Sequence, residues 1–145
     1  MKKMLALIML VSLCSLGLQA KDRYTENIAE LPAAAQKFIR QNFPKQKVHH
    51  IKIDKPVIGA ADYDVVLDNG TEIEFDSSGN WKEVDCGMNA VPAAVMLKTI
   101  SAYVKSNYPK DRIVKIEKDA REYEVKLSNG VDLKFYRDGR FKKID

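Results

Sequence analysis

The chain has 145 residues, with 24 Lys and Arg against 20 Asp and Glu, and a formal net charge of +4. This length fits one ordinary domain or two very small ones. No run of consecutive basic residues forms the patch typical of nucleic-acid-binding proteins, so composition and charge argue against a nucleic-acid partner.

The first twenty residues have the pattern of a cleavable export signal. Two lysines precede an uncharged, apolar stretch over residues 4–18, and Ala20 supplies the small residue expected at the cleavage site. The stretch is too short, and too soon followed by charge, for a transmembrane segment. Cys14 raises the alternative of a lipid-anchored precursor, but Leu13 stands where that processing requires a small residue. We therefore expect a periplasmic or secreted protein, cleaved near Ala20.

The segment after the predicted signal has uneven charge and one cysteine. Residues 21–90 carry 9 Lys and Arg against 12 Asp and Glu, whereas residues 91–145 carry 13 against 8. The first half is therefore acidic and the second half basic. With Cys86 as its one thiol, this segment cannot rely on internal disulfides, and its fold must depend on apolar burial. We interpret Cys86 as a half-buried filler, with a reactive or intermolecular thiol as the alternative.

The segment also contains an internal repeat. Residues 63–85 align without a gap with residues 123–145 and are identical at nine of 23 positions. Upstream, residues 31–34 match residues 91–94 at the same offset of 60. Such self-similarity predicts a duplicated structural unit. The predicted divisions are a signal peptide over 1–20, a first repeat over 21–85, a linker over 86–90 and a second repeat over 91–145.

Each repeat is predicted to begin with a helix. Pro32 and Pro92 suit a first helical position, where the missing amide hydrogen costs nothing. Pro44 and Pro109 are expected to stop the two helices. Because the interval between these prolines is five residues longer in the second repeat, the second helix is expected to be five residues longer.

The pattern after each helix predicts four strands in a meander. A first strand, over 48–53 in one repeat and 113–118 in the other, leads into a hairpin of alternating apolar and polar residues. Asn-Gly pairs mark the hairpin turns, and a further glycine precedes the last strand. These turn glycines are Gly70, Gly79, Gly130 and Gly139. The predicted fold class is α+β, with two tandem repeats, each a helix packed on a four-stranded antiparallel meander sheet.

These features together resemble a known family. They are a Leu-Pro-Ala-Ala helix start, a Phe-Pro helix stop, an Asn-Gly hairpin, and a closing segment from Phe75 to Cys86 that contains Gly79 and Trp81. With the signal peptide and the duplication, the chain is similar to the PepSY-like, beta-lactamase-inhibitor-like family of small exported bacterial proteins. The resemblance covers nearly all of residues 21–145. It implies tandem helix-plus-sheet units that can share one curved sheet, and it suggests binding or inhibition of an envelope or secreted protein such as a peptidase.

Aromatic side chains near the last strands are the first candidate binding residues. Trp81 and Val84 have opposite parity, so both cannot face the same side of a regular strand. Either a bulge intervenes or the aromatic residue lies on the uncovered face, and we favour the second interpretation. Exposed aromatics would anchor a partner, with core packing as the alternative. The candidates of this kind are Trp81, Phe141 and Tyr136.

Charged residues of the hairpins are the second candidates. The polar positions of the first hairpin are acidic and are expected to share one face. They are Asp64, Asp68, Glu72, Glu74 and Asp76. The same face of the second repeat carries basic residues, among them Lys126 and Lys134, so the two open faces are predicted to be opposite in sign. This pattern suits a binding face that steers a charged partner. A solvated surface and a calcium site are the alternatives, although no calcium-loop motif is present.

The sequence offers little for catalysis or for a metal site. His49 and His50 are adjacent on a predicted strand, so their side chains are expected on opposite faces, which disfavours a shared ion. Zinc-protease, phosphate-loop and serine-elbow motifs are missing. We therefore predict a non-catalytic exported protein that binds or inhibits a protein partner, with no cofactor and no metal site. A calcium-responsive envelope protein using the acidic hairpin is the alternative, and an unrecognised hydrolase is a third hypothesis.

Overall fold

The computed structural model describes residues 21–145. The predicted signal peptide, the cleavage site near Ala20 and Cys14 lie outside the described residues. The helical segments are a 3-10 turn at Ile28–Glu30, helix α1 at Ala33–Asn42, a 3-10 turn at Ala93–Val95 and helix α2 at Lys98–Asn107. The strands are β1 (Arg23–Thr25), β2 (Val48–Asp54), β3 (Asp62–Leu67), β4 (Glu72–Phe75), β5 (Trp81–Asp85), β6 (Ile113–Lys118), β7 (Glu122–Leu127), β8 (Asp132–Tyr136) and β9 (Phe141–Ile144).

All nine strands form one antiparallel sheet in which each strand pairs with the next along the chain. The four-stranded groups that follow the two helices are joined because β5 pairs with β6, with Val84 opposite Ile116. Beyond this junction, the Cys86 amide donates to the Val114 carbonyl at 2.9 Å, which ties the connecting segment to β6. Strand β1, which pairs with β2, was not predicted. The α+β class with antiparallel strands is confirmed.

The two helices have equal length, so the expectation of a longer second helix is wrong. Each spans ten residues. The five additional residues of the second half form the 3-10 turn at Ala93–Val95 and an extended step through Met96 and Leu97. Val95 and Met96 are both buried. The extended backbone at Met96 and Leu97 separates the turn from α2, and burial of Val95 and Met96 stabilises the turn against the core.

Both helices pack on the same side of the sheet, which we call the helix face. Phe38 of α1 meets Phe75 of β4 edge-to-face at 5.6 Å, and Tyr103 of α2 meets Phe135 of β8 in the same way at 5.4 Å. Phe75 and Phe135 are fully buried. Burying side chains of this kind contributes about 1.5–3 kcal/mol each, so these aromatic contacts hold the helices in place. We call the opposite side of the sheet the open face.

Bulges in the last strand of each half reverse the expected placement of two aromatics. Opposite β4, Trp81 pairs with Phe75 but Glu83 pairs with Glu74, which leaves one extra residue in β5. The register of β9 shifts in the same way, with Phe141 opposite Phe135. An extra residue inverts the alternation locally, so Trp81 and Phe141 both turn onto the helix face. The prediction that they lie on the open face is wrong.

Packing against the helices confirms where these two rings lie. Trp81 is 9% exposed and lies 6.4 Å from the Phe38 ring, centroid to centroid. Phe141 is 36% exposed and stacks on Tyr103 at 4.5 Å. Cys86 is buried rather than half-buried, and burial raises the pKa of its thiol. Buried thiols of raised pKa are poor nucleophiles, which favours the filler role.

Candidate binding surface

A shallow groove of about 360 Å³ crosses the open face of the first half. Its residues come from β1 to β5, because side chains of alternate residues in paired strands point to the same side of the sheet. The side chains on which its character depends are Tyr24, His50, Lys52, Asp64, Glu72, Glu74 and Glu83. We call this feature the open-face groove.

Four carboxylates give the open-face groove its acidic character, namely Asp64, Glu72, Glu74 and Glu83. Asp64 lies directly opposite Glu74 in the β3–β4 pairing, and Glu72 is two residues before Glu74. Burial raises the pKa of Asp64, and the charge of Glu74 raises it further. Lys82 offsets part of the repulsion, since its Nζ lies 3.1 Å from Glu74 Oε1 and 3.5 Å from Asp62 Oδ2. The structure thus brings together three of the five predicted acidic residues.

The other two acidic candidates lie in turns. Asp68 follows the end of β3, and its amide donates to the Lys47 carbonyl at 2.8 Å. The Asp76 carboxylate accepts hydrogen bonds from the backbone amides of Ser78 and Asn80, at 2.9 and 3.0 Å. Burial opposes a fall in the pKa of Asp76, but these hydrogen bonds outweigh it and lower the pKa. Asp76 therefore stabilises the β4–β5 turn, and the expectation that all five carboxylates share one face is wrong.

His50 lines the groove from β2, and His49 lies beside it in an arrangement that the sequence did not predict. A bulge in β2 between Val48 and His50 makes His49 the extra residue. The Nδ1 atoms of His49 and His50 are consequently 2.8 Å apart, so the expectation of opposite faces is wrong. Within residues 21–145, no three His, Cys, Asp or Glu side chains are grouped closely enough to hold a metal ion.

The open face of the second half is electrically balanced rather than basic. Lys134 Nζ lies 3.2 Å from Glu122 Oε1 and 3.5 Å from Glu124 Oε2. Lys126 is exposed, with Asp132 directly opposite it in the β7–β8 pairing. The prediction that the two open faces have opposite signs is therefore wrong. The acidic residues of this face thus offset its lysines, whereas Arg121, Arg137 and Arg140 lie between strands.

A charged cluster marks the junction between the halves on the same face. Glu83 of β5 stands opposite Glu117 of β6, and Lys115 Nζ lies 3.1 Å from a carboxylate oxygen of each. Partial burial acts to lower the pKa of Lys115, but hydrogen bonds with Glu117 and Glu83 outweigh it and raise the pKa. The lysine thus holds together a like-charged pair that would otherwise repel across the junction.

Two tyrosines are the exposed aromatic residues of the open face. Tyr136 is 42% exposed and lies beneath Lys142, whose Nζ is 5.5 Å from the ring centroid. Tyr24 is 64% exposed, and its ring centroid is 6.3 Å from that of His50. Tyr136 was predicted as a candidate, whereas Tyr24 was missed because β1 is too short to show alternation. The strand propensity of Tyr24 itself and of Thr25 was the available signal.

This combination of groups suits recognition of a polar, charged surface. Opposed carboxylates and lysines create a patterned potential that can orient a partner, and the tyrosines offer aromatic contact area. The open-face groove is shallow, and its acidic residues neighbour one another and Lys52. It does not place a lone carboxyl in an apolar pocket of the kind used for acid–base catalysis.

The fold and the sequence identify the family. A family model described as "Putative beta-lactamase-inhibitor-like, PepSY-like" matches residues 19–59 and 61–143, so the chain belongs to this family. No curated protein matches the chain. Within residues 21–145, neither helix is long and apolar enough to cross a membrane.

Solved structures of Bacteroides proteins have the same fold. A "putative periplasmic protein of unknown function" from Bacteroides vulgatus is 39% identical, with a TM-score of 0.82, covering 86% of this chain and 99% of its own. A "putative calcium-regulated periplasmic protein" from Bacteroides thetaiotaomicron is 40% identical, with a TM-score of 0.80, covering 86% and 96%. A second periplasmic protein from B. vulgatus is 42% identical, with a TM-score of 0.79, covering 86% and 96%.

Proposed function

We propose that the chain is an exported, non-catalytic binding module that contacts a protein partner through its open face. The observation that carries this proposal is the open-face groove, which exposed Tyr24 lines together with Asp64, Glu72 and Glu74. Within residues 21–145, both helices pack on the other side of the sheet, which leaves this face available. The acidic groove suits a partner with a basic patch.

The family description and the relatives support the same assignment. The family is described as beta-lactamase-inhibitor-like, which is consistent with a protein that blocks an envelope or secreted enzyme such as a peptidase. The Bacteroides relatives are described as periplasmic, which supports export of this chain to the same compartment. Two copies of one ancestral unit, over 21–85 and 91–145, are supported by the constant offset of 60.

Affinity capture from envelope and secreted fractions tests the proposal when open-face variants run in parallel. Tyr24→Ala and the pair Glu72→Lys/Glu74→Lys should lose a partner that the native protein retains, whereas Lys37→Glu/Lys105→Glu, on the exposed sides of the helices, should retain it. Repeating the capture at moderate salt should weaken it, because screening reduces steering and surface pairing. If the native protein and all variants retained the partner equally, or if the control variant lost it together with the open-face variants, the open face would be excluded as the binding surface. Assay of a captured enzyme with and without the protein then separates inhibition from simple binding.

A second candidate function is a response to calcium. The specific observations in its favour are the opposed Asp64–Glu74 pair and a 40% identical relative described as calcium-regulated. Calcium would require further oxygen ligands from water or from a partner, because protein sites supply several. Calorimetric titration with millimolar calcium should show saturable heat that disappears in Asp64→Asn/Glu74→Gln. Lack of heat in the native protein would eliminate this candidate without affecting the binding proposal.

A further inference from the structure

Between the two helices, the helix face carries a row of alternating aromatic and cationic residues. Trp81 of β5, Lys118 of β6, Tyr123 of β7 and Arg137, which follows β8, make up this row, and we call it the cationic row. Lys118 Nζ lies 3.9 Å from the centroid of the Trp81 ring, and the Arg137 guanidinium carbon lies 4.9 Å from that of Tyr123. The two ring centroids are 6.5 Å apart, so the four side chains form one continuous row.

The cationic row lies between the parts of the sheet that the two helices cover. Helix α1 places Phe38 over Phe75 and Trp81, and helix α2 places Tyr103 over Phe135 and Phe141. Strands β6 and β7, which carry Lys118 and Tyr123, lie between these two contacts. Both rings of the row are buried, whereas Arg137 is exposed.

Neither cation of the row has an acidic partner. Among residues 21–145, no carboxylate forms an ion pair with Lys118 or Arg137. Burial lowers the pKa of Lys118 and the nearby charge of Arg137 lowers it further, while the charge of Asp76 opposes these two effects only in part. A partly buried ammonium in this situation is stabilised when an anion arrives, because an opposite charge offsets both effects.

The carboxylates nearest to the row accept hydrogen bonds from backbone amides. Asp76 accepts the amides of Ser78 and Asn80, and Asp119 accepts the amide of Arg121 at 2.7 Å. The Asp119 carbonyl in turn accepts a hydrogen bond from Arg137 Nη1 at 2.9 Å, which fixes the guanidinium beside Tyr123. The Asp119 turn therefore positions Arg137, and the charges of Asp76 and Asp119 act on the two cations without forming an ion pair with either.

We propose that the cationic row binds a carboxylate side chain from an extended acidic peptide of a partner protein. The carboxylate accepts hydrogen bonds from Lys118 Nζ and the Arg137 guanidinium, while the rest of the peptide lies between the helices over β6 and β7. Charge-assisted contacts of this kind give both strength and orientation. This surface lies on the side of the sheet away from the open face, so its test is independent of the function proposed above.

The chain contains a single tryptophan, Trp81, which makes intrinsic fluorescence a direct reporter for the row. The probe is an acetylated peptide of alternating glutamate and serine, compared with the same peptide carrying glutamine for glutamate. We expect saturable quenching or a wavelength shift with the glutamate peptide and none with the glutamine peptide. Lys118→Met and Arg137→Gln should each weaken binding about tenfold or more. Sodium chloride at matched ionic strength should not reproduce the signal.

The matched control is Lys126→Met, the same substitution on the open face of the same half. It should leave the affinity for the glutamate peptide unchanged, and urea unfolding should show that Lys118→Met is folded. A second measurement, NMR titration of the Lys118 ammonium, should show its pKa rising when the peptide is bound. An absent saturable response, equal affinity in Lys118→Met, or equal weakening in Lys126→Met would each overturn the proposal.

Discussion

The docking of α1 onto the β4–β5 turn depends on the absence of a side chain at Gly79. This residue has a φ of +85°, and a Cβ atom placed on it would lie 2.9 Å from both the Ala35 nitrogen and the Pro32 Cβ. Ala35 is fully buried, so the start of the helix cannot withdraw without losing core contacts. Gly79→Ala therefore combines an unfavourable backbone conformation with a collision against the helix.

The chain supplies a control that separates these two effects. Gly70 has nearly the same φ, +84°, but a Cβ there would meet nothing within 4 Å. A non-glycine residue in the left-handed region costs about 1–2 kcal/mol, which is the expected loss for Gly70→Ala. Overpacking adds about 1–3 kcal/mol, so Gly79→Ala should destabilise the protein by about 2–5 kcal/mol.

Gly139 in the second half distinguishes a backbone collision from a side-chain collision. A Cβ on Gly139 would lie 1.9 Å from the Thr99 hydroxyl oxygen. Removing that hydroxyl should relieve part of the strain, so Thr99→Ala combined with Gly139→Ala should be more stable than the sum of the single effects predicts. At Gly79 the obstructing atoms include the helix backbone, and a side-chain replacement cannot remove it.

Urea unfolding followed by circular dichroism measures all of these variants on one scale. The linear extrapolation converts the midpoints into free energies of unfolding, provided that the slope is unchanged. Equal losses for Gly70→Ala and Gly79→Ala would refute the reasoning, because the close approach of α1 would then contribute nothing. Additive effects of Thr99→Ala and Gly139→Ala would refute the contact assigned to the second turn.

Three further predictions concern single residues. Trp81→Ala should cost about 3–5 kcal/mol in urea unfolding because the ring is buried, whereas exposed Tyr24→Ala should stay within about 0.5 kcal/mol; similar losses would contradict the buried placement. The pKa of Asp64 is raised in the folded state, so its charged form destabilises that state. This loss of folding free energy is complete above the folded pKa, and it disappears once the pH is below the unfolded pKa of about 3.9. Asp64→Asn should therefore raise the urea midpoint at pH 7. An equal increase in the midpoint at pH 3 would show that the charge of Asp64 is not the cause. Cys86 should resist iodoacetamide in the native protein and react in urea, as read by mass spectrometry; rapid native labelling would disprove its burial.

Local patterns in the sequence predicted the elements of each half. Strand β6 spans Ile113–Lys118 as expected, and β2 spans Val48–Asp54, one residue beyond its predicted end. The Asn-Gly pairs form the β3–β4 and β7–β8 turns, where Gly70 and Gly130 have positive φ. These features depend on alternation and turn chemistry within about ten residues, which a single sequence carries.

Features that depend on distant pairing were not predictable in the same way. The alternation within β5 cannot show that β6 will pair with it. Strand β1 has three residues, which are too few for an alternating pattern to predict a strand. The bulges had the largest consequence, because one extra residue moved Trp81 to the helix face and brought His49 beside His50. Parity analysis detected the irregularity at Trp81, but the sequence did not determine whether a bulge or a reversed side chain would resolve it.

Charge totals also failed to predict the surfaces. The second half has an excess of basic residues, yet its open face pairs Lys134 with Glu122 and Glu124. The excess lies partly on the helix face and in turns, at Lys118 and Arg137. A sum over a segment does not record which side of a sheet each charge occupies, so it cannot locate a binding face.

The union of the two halves in one sheet explains why corresponding aromatics have different environments. Trp81 and Phe141 occupy equivalent positions at the offset of 60, but β5 is followed by β6, whereas β9 is the sheet edge among the described residues. Trp81 is consequently 9% exposed and lies beneath Lys118, while Phe141 remains 36% exposed. The position equivalent to Arg137 is Ser77, so the first half also lacks the second cation of the row. The cationic row therefore requires both halves together, because Trp81 comes from the first half and Lys118, Tyr123 and Arg137 come from the second.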